Sequence, residues 1–144
     1  MLGIGGVLTG QVIANRREKV MARLDNEYKV KADLGDLRRT VFIGYLTAIQ
    51  SYRHSRASVI WDTKVQSSNI QQSGAELLEE VRKRELAAIQ VQLIGSEPTR
   101  TSLKELEALM QGSLGDDTSQ WETTVDSSLA NLTAVMRQEI GYAV

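Results

Sequence analysis

Apolar residues recur along this chain at steps of three and four and never in sustained alternation with polar ones. That spacing predicts helices rather than strands. Leu34, Leu37, Val41, Tyr45, Ala48, Ile49 and Tyr52 fall on one helix face. Upstream, RREKVMARLDNEYKVKADLGDLRR is dense in charge and free of proline, so the helix extends back to about residue 16. Gly35 leaves two readings open, one long helix or two helices broken there. A glycine inside a helix costs only about 1 kcal/mol against alanine, so it does not force the break.

The polar run KVQSSNIQQ over residues 64–72 reads as a connection. Ser73 and Glu76 have the spacing of a capping box and predict a helix start. Leu77, Leu78, Val81, Ala88, Ile89 and Leu93 form its broad apolar face, with Glu85 and Gln92 inside the arc. Gly95 ends it, read as a left-handed cap. Ser96 with Pro98 starts a third helix, since serine caps well and proline is tolerated in a first turn. Its stripe is Leu103, Leu106 and Met110. GSLGDD over residues 112–117 is an acidic loop. A fourth helix begins at Thr118 or Ser119, with Ser119 and Glu122 as a second capping box. Trp121, Val125, Leu129, Leu132, Met136 and Ile140 follow on one face, and Gly141 closes it. The expectation is an all-α, up-and-down bundle of about four helices, near residues 16–66, 74–94, 97–111 and 119–140.

The first fourteen residues break this pattern. MLGIGGVLTGQVIA is apolar and glycine-rich, and Arg16, Arg17 and Lys19 follow at once. Residues 1–15 therefore form a candidate membrane segment ahead of a bundle domain over 16–144. Gly6 and Gly10 form the G-x-x-x-G that lets helices approach closely in lipid. The arginines and lysine are placed as a juxtamembrane anchor on the cytoplasmic side. Fourteen residues reach only about 21 Å at 1.5 Å per residue, against a hydrocarbon core of about 30 Å. A full span thus needs local thinning or a start further upstream. The competing reading is a glycine-rich terminus or a helix end packed on the bundle. A signal peptide would carry a basic region before the apolar run, and a dinucleotide-binding loop would need a preceding strand.

Composition narrows the chemistry. The 144 residues contain no cysteine, one histidine and one proline, which removes disulfides, thiol nucleophiles and Cys-ligated metals. A single histidine cannot furnish a zinc site or the Glu-x-x-His pairs of a di-iron bundle. Asp116 and Asp117 lack the other ligands of a calcium loop. His54 sits in SYRHSR near Ser51, Ser55 and Ser58, without a nucleophile elbow. Charge is uneven, with eleven Lys/Arg against six Asp/Glu over residues 1–66 and six against twelve over 67–144. The basic residues are interleaved with acids, which argues against nucleic-acid binding. No catalytic residue, cofactor, metal or small-molecule substrate is identified. Trp121 fits its helix stripe and is assigned to the core. Trp61, with Val59 and Ile60, is a candidate contact patch, tryptophan being enriched where proteins bind.

The stretches GGVLTGQVIANRREK, RRTVFIGYLTAIQSY, LIGSEPTRTSLKELEALMQG and VMRQEIG together resemble a group of small actinobacterial and actinophage proteins of uncharacterised function. These share a short glycine-rich apolar N-terminus, a basic juxtamembrane helix and a small helical domain. The resemblance implies a membrane-associated bundle and brings no catalytic residues with it. This chain departs from it in a shorter apolar start and in Glu97 between the serine and the proline. The functional expectation is a non-enzymatic interaction or regulatory protein on the cytoplasmic side of the membrane, with self-association through Gly6 and Gly10 as one route. The alternative is a soluble phage- or plasmid-encoded accessory protein that binds a host factor.

Overall fold

A computed structural model describes residues 2–112 and 118–141, with side chains from Asn15 onward. The calls on Gly6, Gly10 and Asp116–Asp117 lie outside those described side chains. The protein is all-α, with four helices among the described residues: α1 (Leu2–Lys64), α2 (Ile70–Ile94), α3 (Glu97–Met110) and α4 (Thr118–Ile140). α1 passes through Gly35 unbroken, as the low cost of a helical glycine permits. By contacts the chain divides into two units, Met1–Leu37 and Arg38–Val144.

Within Arg38–Val144, the hydrogen bonds fix an up-down-up-down order. Arg38 Nε donates to the Ile94 carbonyl at 3.2 Å, while Ser73, near the start of α2, bonds Asp62 near the end of α1. Tyr52 Oη donates to the Met110 carbonyl at 3.1 Å, and Trp121 Nε1 to the Leu109 carbonyl at 2.9 Å. The core is built from Phe42, Tyr45, Ile49 and Tyr52 of α1, Ala88 and Val91 of α2, Leu103, Leu106 and Met110 of α3, and Trp121, Val125, Leu132 and Met136 of α4. Trp121 is a core residue, as its spacing predicts. Burying such stripes, rather than intrinsic propensity, is what stabilises helices of this length.

Four local readings differ from the structure. α2 starts at Ile70, not Ser73. The reason is the end of α1, where Gln66 adopts a left-handed φ of 52°. The Ser67 N–H then reaches the Asp62 carbonyl at 2.9 Å and the Gln66 N–H the Thr63 carbonyl at 3.4 Å, the paired bonds of a Schellman turn. That compact turn shortens the connection, and the N-cap becomes Asn69. Ser73 is inside α2, where its hydroxyl donates to the Asn69 carbonyl at 2.8 Å and to the Asp62 carboxylate, so no Ser73–Glu76 box forms.

Gly95 is not left-handed. Its φ of −75° and ψ of 152° are extended. Glycine is needed there for space, because a Cβ would lie 2.7 Å from the Val91 carbonyl oxygen and 3.2 Å from Thr99 Cγ2. Gly141, by contrast, closes α4 at a φ of +95°, as expected of a C-terminal glycine. The inward face of α2 is also rotated from the expected one. Ser73, Arg84, Ala88 and Val91 are buried, while Leu78, Ile89 and Leu93 are more than half exposed. On α1, Leu34 and Leu37 are exposed, and Phe42, absent from the expected stripe, is fully buried.

Candidate functional site

Three places carry more chemistry than packing requires. The first is the contact patch expected at Val59–Trp61, where the end of α1 meets the start of α2. Helix geometry separates its three members. Val59 is buried, Ile60 is half-buried and Trp61 is 64 % exposed. Trp61 forms one wall of an open cleft of about 520 Å³ that also collects His54, Ser58, Asp62, Ser73 and Glu76. These are the residue types of a nucleophilic triad, but their bonds point elsewhere. Ser58 Oγ donates to the His54 carbonyl at 3.2 Å. Ser73 Oγ donates to Asp62 and Asn69. Neither bond gives a serine an imidazole base, which nucleophilic catalysis needs. The cleft sets an exposed indole beside two carboxylates.

The second place is the bundle interior, which holds charges the apolar pattern did not announce. Arg84 Nε lies 3.3 Å from Glu107 Oε2, with the arginine side chain 4 % and the glutamate 16 % exposed. Tyr45 Oη donates to Glu107 Oε1 at 2.6 Å. The Arg84 guanidinium sits 4.5 Å from the Tyr52 ring centroid, and Nη1 has no hydrogen-bond partner among the described residues. Burial pushes the Glu107 carboxyl above its ordinary range, against the opposing pulls of the Tyr45 hydrogen bond and the Arg84 charge. Burial, then the adjoining Glu107 charge and hydrogen bond, drive the Tyr45 phenol far above its ordinary value. Arg56, 1 % exposed, stacks its guanidinium 3.7 Å from the Trp121 ring centroid. Arg53 bridges to α4 through Glu122 and, at 2.8 Å, Asp126. For the buried Arg84–Glu107 pair, the cost of desolvation offsets much of the Coulomb attraction. Arg56 and Arg84 occupy positions in phase with their helices' buried faces; that phase is the one sequence signal that could have flagged them.

At one end of that interior a polar corner joins α1, α3 and α4. Glu139 accepts from the Ser96 backbone N–H at 2.7 Å, from Ser96 Oγ at 3.1 Å and from Thr99 Oγ1. Arg38 Nε lies 3.5 Å from the same carboxylate. Ser96 is the N-cap of α3, as its position predicts, but its hydroxyl makes no capping bond to the helix. A carboxylate from α4 serves that helix start instead.

The third place is the stretch of α1 in the first unit. Val20, Met21, Leu24, Tyr28, Val30, Leu34 and Leu37 are all exposed, Tyr28 at 76 %. At about 100° per residue they spread over an arc of about 200°, which Arg23, Glu27 and Lys31 share. Arg16, Arg17 and Lys19 are exposed at its head, with Arg16 and Arg17 beside Val20 and Met21. No helix among the described residues is long and apolar enough to cross a membrane, and those residues contain no cluster of potential metal ligands.

Compared with known proteins, the chain matches no family model, no curated protein and no solved structure.

Proposed function

We propose that this protein is a non-enzymatic interaction module held at the cytoplasmic face of a membrane by the N-terminal part of α1, with the bundle displayed for protein contacts. The observation that carries this reading is the set of seven large apolar side chains left exposed on α1 between Val20 and Leu37, accompanied by the exposed Arg16, Arg17, Lys19 and Arg23. A lone helix in water is marginal. One with seven large exposed apolar side chains is stabilised when that face is covered. Exposed apolar side chains interspersed with basic ones offer both the apolar contact and the charge attraction that hold a helix at an anionic bilayer. An anchor of this kind needs no complete span. Trp61 and its cleft supply a contact point on the displayed bundle.

Fractionation of cells producing the full chain tests the reading. The expected result is recovery in the membrane pellet, with release by detergent. Recovery in the soluble fraction without detergent overturns the attachment and favours the soluble accessory protein. Release by high salt alone marks a charge-held protein, and retention through it one also held by apolar contact.

A further inference from the structure

α2 carries its largest exposed apolar side chains on the side turned away from the core. Leu78, Leu86, Ile89 and Leu93 are 64, 60, 53 and 77 % exposed. At about 100° per residue they fall within an arc of about 80°, opposite the arc that α2 buries through Ser73, Arg84, Ala88 and Val91. Single exposed leucines need no explanation, but a ridge of four along about 22 Å of one helix is the kind of patch that marks an interaction surface. Arg82 and Glu85 stand on the same ridge, both exposed. Neither forms an ion pair within the chain among the described residues.

We infer that this ridge docks a second copy of the chain, the two α2 helices running antiparallel across a two-fold axis. The order along the ridge is Leu78, Arg82, Glu85, Ile89, at steps of four, three and four, the seam spacing of two packed helices. Read in reverse, it is again apolar, charged, charged, apolar, with the signs exchanged. An antiparallel copy centred between Lys83 and Arg84 therefore sets Leu78 against Ile89 of the second copy. It sets Arg82 against Glu85 of that copy, and the two-fold repeats both pairs. The interface is isologous: one patch serves both sides. A parallel pair in register would set arginine on arginine and glutamate on glutamate, so charge selects the antiparallel arrangement. Leu86 and Leu93 flank the seam and widen its apolar contact.

This surface lies in the bundle unit and does not depend on lipid, so its test is separate from that of membrane attachment. The chain has no cysteine, so full-length Leu78→Cys and Ile89→Cys can be made singly, one of them isotopically labelled, then mixed and oxidised. The expected product is a mixed disulfide dimer, at least tenfold in excess over dimers of either variant with itself. Self-paired products or no cross-link overturn the arrangement. In sedimentation equilibrium, Arg82→Glu and Glu85→Arg are each expected to raise the dimer Kd at least tenfold, and the double exchange to restore it. Singles without effect, or a double no better than the singles, also overturn it. Circular dichroism of each variant confirms that these exposed changes leave the bundle folded.

Discussion

Replacing Arg84 with methionine isolates the buried ion pair. The substitution keeps a flexible side chain of similar reach against the Tyr52 ring, where a thioether packs well, and removes the charge 3.3 Å from Glu107. Glu107 is then a carboxylate 16 % exposed with only the Tyr45 hydroxyl to stabilise it. Stranding one partner of a buried pair costs about 3–5 kcal/mol when it is fully enclosed; the residual exposure of Glu107 reduces this to about 2–3 kcal/mol. For a chain of this size that is a drop of about 10 °C in Tm. The loss depends on pH. Glu107 already titrates above its ordinary value of 4.5, so the native state binds its proton more readily than the unfolded chain. Its contribution to stability is greatest below that value and declines as pH rises through the raised native pKa. Without Arg84 the native pKa climbs further and the decline steepens. As pH falls, Glu107 is increasingly protonated in both proteins and the parent is left with an arginine short of its countercharge, so the penalty shrinks toward acid pH. Urea unfolding followed by circular dichroism, across that range, measures the difference. Arg84→Met/Glu107→Gln leaves no charge and keeps an acceptor for Tyr45, so it should return to within about 1 kcal/mol of the parent at neutral pH. A penalty independent of pH, or a double variant as unstable as the single, refutes the reasoning.

Four further substitutions probe the frame. Gly95→Ala should destabilise by about 1–3 kcal/mol in thermal unfolding, because its Cβ would press on the Val91 carbonyl. Gln66→Gly should stabilise by about 0.5–1 kcal/mol, since Gln66 holds a φ of 52° at the end of α1. Leu132→Ala should cost about 2–5 kcal/mol in urea unfolding, whereas Leu93→Ala, 77 % exposed, should change monomer stability by no more than about 0.5 kcal/mol.

The helices of this protein were readable wherever local pattern and burial agree. α4 shows it best: Trp121, Val125, Leu132 and Met136 sit at helical steps and are all buried. α3 behaves alike through Leu103, Leu106 and Met110. α2 defeated the same logic for a physical reason. Its outward ridge is as apolar as its inward face, and the inward face contains an arginine. That arginine is tolerated because its countercharge comes from Glu107 on α3, twenty-three positions away, which local periodicity cannot see. The capping box at Ser73 was misplaced because the left-handed Gln66 reverses the chain early, and glutamine gives no warning of a positive φ. Among the expected site residues, Arg16, Arg17 and Lys19 are exposed, and Trp61 is exposed beside half-buried Ile60 while Val59 turns inward.

Flotation of the purified full chain through a density gradient with vesicles containing anionic lipid tests the central claim most directly. The account predicts that the protein rises with the vesicles, and that Val20→Glu/Leu24→Glu/Leu34→Glu weakens this by removing the apolar face of α1. Protein that stays at the bottom of the gradient, with or without vesicles, contradicts it.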